Sequence, residues 1–229
     1  VFADFLYLFY PQLCPVCVEP LPKGDSKICP HCFERLPRTE FHRQKYNPAE
    51  RVFYGRFDFH FVSSALFFSK GSSVQRILHE LKYKGGTELG EQLGAWYGLE
   101  LKSNSPIPEN PIFVPVPLHP KKLHKRGYNQ AEVLAKGLQA TIAGSEAVSL
   151  LKRNAETGSQ TKRNRFERWQ NVETVFELSA VQNSEKRNLV LVDDVLTTGA
   201  TLEACARALL PLNPLSVSVV TLAFANQLG

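Results

Sequence analysis

An α/β fold is predicted for these 229 residues: a mostly parallel sheet flanked by helices, with a small cysteine-rich module at the N-terminus. Three observations carry that prediction. Short apolar runs alternate with stretches of helical periodicity through most of the chain, the pattern of strand–helix–strand units. The run Leu189-Val190-Leu191-Val192 is apolar at every position, as in a strand covered on both faces. Four of the five cysteines fall between positions 14 and 32 as two C-x-x-C pairs. The module is expected over residues 1–40 and the larger domain over 41–229. A hydrophobic content of 43% is ample for a core of that size. No run approaches the ~18 apolar residues of a membrane helix, so membrane insertion is not expected.

The first ten residues, Val1 to Tyr10, are apolar but include Asp4 and no basic residue. They read as an amphipathic segment packing on the domain rather than a signal peptide. Cys14-Pro15-Val16-Cys17 and Cys29-Pro30-His31-Cys32 follow. Each hook presents two sulfurs to one metal ion, and two hooks complete the tetrahedron of a four-thiolate zinc site. Such a closed site is structural. A segment this short cannot build its own core, so metal binding must supply its folding free energy, on the order of 10 kcal/mol. Two disulfides are the competing reading; a reducing cytoplasm, the compartment expected here, disfavours them. A redox C-x-x-C is a further alternative, against which the pairing of two hooks argues. His31 is read as exposed. Zinc hooks often carry Gly after the second Cys, whereas Val18 and Phe33 stand there.

Residues 37–58 are polar with little periodicity and read as a linker with strand-like pieces. Residues 61–68 are a strand. Ser72 or Ser73 caps a helix with the face Val74, Ile77, Leu78 and Leu81, which Gly85-Gly86 ends. At Lys82 and Tyr83 a structural reading, a basic residue complementing the helix dipole, competes with a functional one. A second helix carries Leu89, Leu93, Trp96, Tyr97 and Leu101; Trp96 and Trp169 read as packing residues, although Trp169 could stack a base. Ile112 to Val116 is a strand. A proline-rich turn then leads into a polar loop, Lys121 to Gln130, and a helix with Ala131, Leu134, Ala135 and Leu138. Val148 to Leu151 and Val172 to Leu178 are strand candidates joined by a long charged loop, and Val217 to Phe224 is the last strand.

The net charge is +5 and its cations are bunched. One cluster is Lys121, Lys122, Lys125 and Arg126; the other is Lys152, Arg153, Lys162, Arg163, Arg165 and Arg168. Clusters of this kind suit a polyanion, pyrophosphate or nucleic acid; a solvated basic surface is the plainer alternative.

The most informative stretch follows the apolar run at 189–192. Asp193 and Asp194 come at once, then Thr197-Thr198-Gly199-Ala200-Thr201, then a helix whose apolar face is Leu202, Cys205, Ala206, Leu209 and Leu210. Cys205 on that face is expected to be buried and inert. A helix start leaves about four unpaired N–H groups and roughly half a positive charge. The small residues let an anion reach the backbone, and the threonines add donors, so a phosphate monoester fits. Adjacent carboxylates suit neighbouring hydroxyls. Phosphate at one end and diol at the other describe a ribose 5-phosphate cradle.

This segment resembles the signature loop of type I phosphoribosyltransferases, which bind phosphoribosyl pyrophosphate (PRPP). The resemblance implies a type I phosphoribosyltransferase-like fold. It gives Asp193 and Asp194 to the ribose and catalysis, and Thr197, Thr198, Gly199, Ala200 and Thr201 to the 5-phosphate. Lys121, Lys122, Lys125, Arg126, Asn129 and Gln130 then serve the pyrophosphate, and Lys162, Arg163 and Arg165 a closing loop, with Mg²⁺ accompanying PRPP. With the two hooks, Leu81-Lys82-Tyr83-Lys84-Gly85-Gly86, Pro115-Val116-Pro117, Arg126-Gly127-Tyr128-Asn129-Gln130, Thr157-Gly158-Ser159-Gln160-Thr161 and Arg168-Trp169-Gln170-Asn171, the chain resembles the ComF competence-protein family. That resemblance implies a role in DNA uptake during natural transformation, with single-stranded or branched DNA and other competence proteins as partners. An accessory factor that binds PRPP and DNA without catalysis is the alternative.

Overall fold

The structure is a computed structural model that describes residues 11–22, 24, 26–83, 86–104, 106–154, 175–179 and 186–225. Among these, the elements in chain order are α1 (Pro30–Glu34), α2 (Pro48–Arg51), β1 (Val62–Phe68), α3 (Ser73–Tyr83), α4 (Thr87–Asn104) and β2 (Ile112–Pro115). They continue with α5 (Pro120–Arg126), α6 (Gln130–Gln139), β3 (Glu146–Ala147), β4 (Leu151–Arg153), β5 (Phe176–Leu178), β6 (Asn188–Leu196), α7 (Ala200–Leu209) and β7 (Ser216–Ala225). Five strands form one sheet in the order β1-β7-β6-β2-β3. Every pairing in it is parallel.

The two long central strands explain their own position. β6 and β7 are buried on both faces along most of their length, and unbroken apolar runs are stable only there. One face carries α3, α4 and α6: Leu81, Leu93 and Leu138 pack with Val190, Val192 and Val220. α4 and α6 lie close because glycines meet at their crossing. A Cβ on Gly94 would sit 2.3 Å from the Leu134 carbonyl oxygen, and one on Gly137 would sit 2.2 Å from that of Glu91. The other face carries α7, whose Leu202, Cys205 and Leu209 pack with Leu189, Leu191 and Val219.

The cysteine module shares the first of these cores. Cys14, Leu21, Ile28, Cys32 and Leu36 belong to the same apolar cluster as Leu93 and Tyr97 of α4. Trp96 meets the Phe33 ring edge-on at 5.4 Å, and the Arg38 guanidinium lies 5.3 Å from the Trp96 ring. The Lys27 amide donates to Gln92 Oε1 at 2.9 Å. Trp96 is therefore the packing residue expected of it.

Four expectations are corrected. Residues 37–58 are a tightly packed wrap rather than a linker, with Phe41, Ala49 and Phe53 buried. The wrap runs along the outer edge of β1: the Thr39 amide donates to Ala65 O at 3.0 Å and the Phe67 amide to Pro37 O at 2.7 Å. Part of its polarity faces inward, at Thr39, His42 and Asn47. Asn47 Oδ1 caps α2 through the amides of Ala49 and Glu50, while its Nδ2 donates to the carbonyls of Phe41, Gln44 and Val62. Second, the polar loop after β2 contains α5, started by Pro120 behind the capping His119 and stopped by Gly127 at φ 81°. Third, the expected strand at 148–151 is divided. Glu146–Ala147 joins the main sheet, and Leu151–Arg153 pairs antiparallel with β5 in a separate ribbon. That ribbon lies on α7, with Leu151 and Phe176 in its apolar cluster. Fourth, β6 does not stop before the acids but continues through Asp193 and Asp194 to Leu196. The segment at 1–10, the motifs at 157–161 and 168–171, and Trp169 lie outside the described residues.

Candidate functional site

Two sites emerge from the residues singled out above. In the first, the hooks bring Cys14, Cys17, Cys29 and Cys32 together with all four sulfurs within 4.8 Å of one another. Cys17 Sγ lies 3.8 Å from Cys29 Sγ. Zn–S bonds of about 2.3 Å set tetrahedral sulfur–sulfur edges of ~3.8 Å, so the cluster has the dimensions of a metal tetrahedron. All five cysteines are free thiols. Burial alone would raise the Cys14 thiol, yet hydrogen bonds from the backbone at Cys17, Cys29 and Val16 bring it down to about 7. Burial and the neighbouring sulfurs push the Cys32 thiol up. Four converging sulfurs resist ionising together, and a cation resolves that conflict. The first hook turns with Val18 at φ 65°, at the very position where glycine is usual, so the β-branched residue holds a left-handed backbone there. His31 is exposed, as expected. The group can hold a metal ion.

The second site lies at the C-terminal end of β6. Asp193 and Asp194 fall on successive strand positions, so their side chains leave opposite faces. Asp193 Oδ1 accepts from the Asp194 amide at 2.8 Å. Burial, and then the neighbouring Asp194 charge, hold the Asp193 carboxyl well above the usual carboxylate range. Asp194 is 6% exposed and its Oδ2 ion-pairs with the Lys82 ammonium. Beyond Leu196, Thr197, Thr198, Ala200 and Thr201 are exposed around a buried Gly199. Gly199 starts α7 at φ 75°, and a Cβ there would sit 2.7 Å from the Phe53 ring and 2.8 Å from Val52. Both the backbone and the space demand glycine. As the N-cap, Gly199 has no side chain to cap α7; the Ala200 amide makes one long contact, 3.5 Å, to Thr198 Oγ1, and the start of the helix faces the open turn.

The loop following β2 approaches from the other side. Tyr128 donates its hydroxyl to the Leu81 carbonyl. The Arg126 guanidinium lies 5.6 Å from the Tyr83 ring centre and donates to Gln130 Oε1. The end of α3 thus links Arg126 to the acid pair. Asn129 is 3% exposed; it caps α6 through Ala131 and donates to Val116 O at 2.9 Å. Its side chain orders the loop. Lys121, Lys122 and Lys125 are exposed along α5, a helix with no buried residue. Lys162, Arg163 and Arg165 lie outside the described residues. Cys205 is buried as expected, its thiol pushed up by burial.

Lys82, for which the sequence leaves a structural and a functional reading open, reaches this region from the end of α3. Arg56 carries no sequence signal: its Nη1 donates to the Thr198 carbonyl at 2.7 Å across 142 residues. Glu203 holds Arg56 at 3.6 Å and Arg207 at 3.0 Å, and Arg207 Nη2 donates to the Arg56 carbonyl at 3.0 Å. This network braces the turn from behind.

A family profile described as phosphoribosyl transferase domain matches residues 123–228. Competence protein F of Haemophilus influenzae is 34% identical over 120 residues, 52% of each chain. Competence protein ComFC of Streptococcus pneumoniae is 30% identical over 148 residues, 65% of this chain and 62% of that one. DNA utilization protein YhgH of Escherichia coli K12 is 29% identical over 151 residues, 62% of this chain and 63% of that one. The match thus spans between half and two thirds of these relatives' lengths.

A parallel sheet ending in paired acids and a glycine-hinged turn, matched by that profile, defines a domain of the phosphoribosyltransferase class. With the four-cysteine module and these relatives, the chain is similar to proteins of the ComF family. No helix among the described residues is long and apolar enough to cross a membrane.

Proposed function

We propose that the chain binds PRPP, with Mg²⁺ carried on its pyrophosphate, and transfers the phosphoribosyl group to a nitrogen acceptor in the cytoplasm. The observation that carries this reading is the continuity of β6 through Asp193 and Asp194 into the open turn at α7. The 5-phosphate sits against Thr197, Thr198, Gly199, Ala200 and Thr201, where helix-start amides and the dipole favour an anion. The ribose hydroxyls meet the acid pair. The carboxyl oxygens offer hydrogen-bond partners to two neighbouring hydroxyls. Arg126, with Lys121, Lys122 and Lys125, faces the pyrophosphate; Asn129 and Gln130 fix that loop, and Lys162, Arg163 and Arg165 add charge. In the transfer, the C1–oxygen bond to pyrophosphate breaks and a C1–nitrogen bond forms. The cations stabilise the departing negative charge. The four cysteines hold zinc, which stays structural.

A second reading, an accessory role in DNA uptake with little catalysis, draws support from a different observation. α5 presents Lys121, Lys122, His124 and Lys125 and buries nothing, a surface suited to phosphate backbones. The names of the relatives point to DNA as well. Contact with other competence proteins belongs to the same reading.

Pyrophosphate release from labelled PRPP, assayed across purine, pyrimidine and amine acceptors beside a single-strand DNA shift assay, separates the two. Release with any acceptor supports the enzyme. No release, with DNA binding lost in Arg163→Ala/Arg165→Ala and PRPP binding kept, supports the accessory factor. Asp193→Asn/Asp194→Asn abolishes PRPP binding in a chain that still unfolds cooperatively; unchanged affinity overturns the cradle.

A further inference from the structure

The last turn of α3 brings one cation into the centre of this site. Lys82 Nζ pairs with Asp194 Oδ2, with side-chain exposures of 27% and 9%. On one side of Lys82, the Leu81 carbonyl receives the Tyr128 hydroxyl. On the other, the Tyr83 ring lies under Arg126. The ammonium therefore stands between the acid pair and the cationic loop that follows β2.

Stability alone does not account for this arrangement. A half-buried ion pair adds little over well-packed apolar side chains of similar volume. What it does supply is a counter-charge for a carboxylate almost closed off from water. That need ends when ribose hydroxyls donate to Asp194. At the same moment a pyrophosphate brings several anionic oxygens into the same space. A lysine, a compact charge on a flexible four-carbon stem, can follow the negative charge.

Building on the PRPP reading above, we propose that Lys82 is a ligand-binding residue. It neutralises Asp194 in the free protein and moves onto the pyrophosphate of PRPP when the ribose hydroxyls engage that acid. The ion pair is then the resting state of a cation exchanged between protein and ligand, and it favours the diphosphate over ribose 5-phosphate.

The full-length, metal-loaded chain, titrated calorimetrically with three probes, tests this. The probes are PRPP, ribose 5-phosphate and inorganic pyrophosphate, each with Mg²⁺. Lys82→Met is expected to weaken PRPP roughly tenfold or more, the worth of a charge-assisted hydrogen bond, and to leave ribose 5-phosphate within about twofold. Lys82→Arg restores most of the loss. Asp194→Asn, by freeing the ammonium, strengthens pyrophosphate binding, and adding Lys82→Met to it removes that gain. This double variant contains no orphaned charge, so the comparison survives even if Lys82→Met alone folds poorly. Equal weakening of PRPP and ribose 5-phosphate by Lys82→Met overturns the proposal. So does pyrophosphate binding indifferent to both substitutions. A wild-type chain that binds neither PRPP nor ribose 5-phosphate removes the PRPP reading and this inference with it. Retained PRPP binding without loss of selectivity removes the inference alone.

Discussion

Asp193 concentrates the electrostatic conflict of the site. Its carboxyl is held above the ordinary value of 3.8 by burial and by Asp194, so the native chain keeps a proton that the unfolded chain releases. Where the native state binds more protons, stability falls as pH rises. This contribution is complete below the unfolded carboxyl value and is lost as pH climbs through the raised native one. Urea denaturation across pH 4 to 8 is expected to show that decline, and Asp193→Asn is expected to flatten it and to be the more stable protein at neutral pH. A variant with an unaltered slope means another group titrates. The neighbouring Gly199 is constrained differently, by φ 75° and by the Phe53 ring. One residue is thus tuned by charge and the other by space.

At the level of elements, the wrap over residues 37–58 decides whether β1 has a protected edge. Its keystone is Asn47, 3% exposed and bonded to five backbone groups. Asn47→Ala removes a helix cap and strands buried carbonyls, and is expected to cost about 2–3 kcal/mol by urea denaturation. Asn47→Asp keeps the cap and loses the donors, so it falls between; an Ala variant within about 0.5 kcal/mol of wild type refutes this role. The wrap also shows where the sequence was silent. β6, β7, α3, α4, α6 and α7 announce themselves through apolar period. Residues 37–58 look like a linker because Thr39 and Asn47 bond backbone atoms that lie elsewhere in the fold, and local pattern does not record a partner. The same holds at the site. The acids, the threonines, Gly199 and the cysteines are legible as motifs. Arg56 is not, because its partner Thr198 is distant in the chain, and Lys82 is read only as half of a pair.

Across the whole molecule, the cysteine cluster and the parallel sheet share one apolar core through α4. If the cluster holds zinc as proposed, removing the metal strips support from Leu93, Trp96 and Tyr97, not only from a peripheral loop. A chelator, or Cys32→Ser, is expected to lower the thermal midpoint of the entire chain by roughly 10 °C or more, at about 2–4 °C per kcal/mol for a chain of this size. Far-ultraviolet circular dichroism and tryptophan fluorescence should fall in a single transition. An early, separate melting step with an unchanged main midpoint contradicts a continuous core.

The neighbour of β1 in the sheet is β7, with Ser64 and Thr221 joined at 2.5 Å across 157 residues. On a ribosome adding about 5–20 residues per second, the first sheet strand waits about 8–30 s for the last. During that interval its inner edge is naked. Slowing translation between the two strands is therefore expected to lengthen the time that edge stays exposed to aggregation.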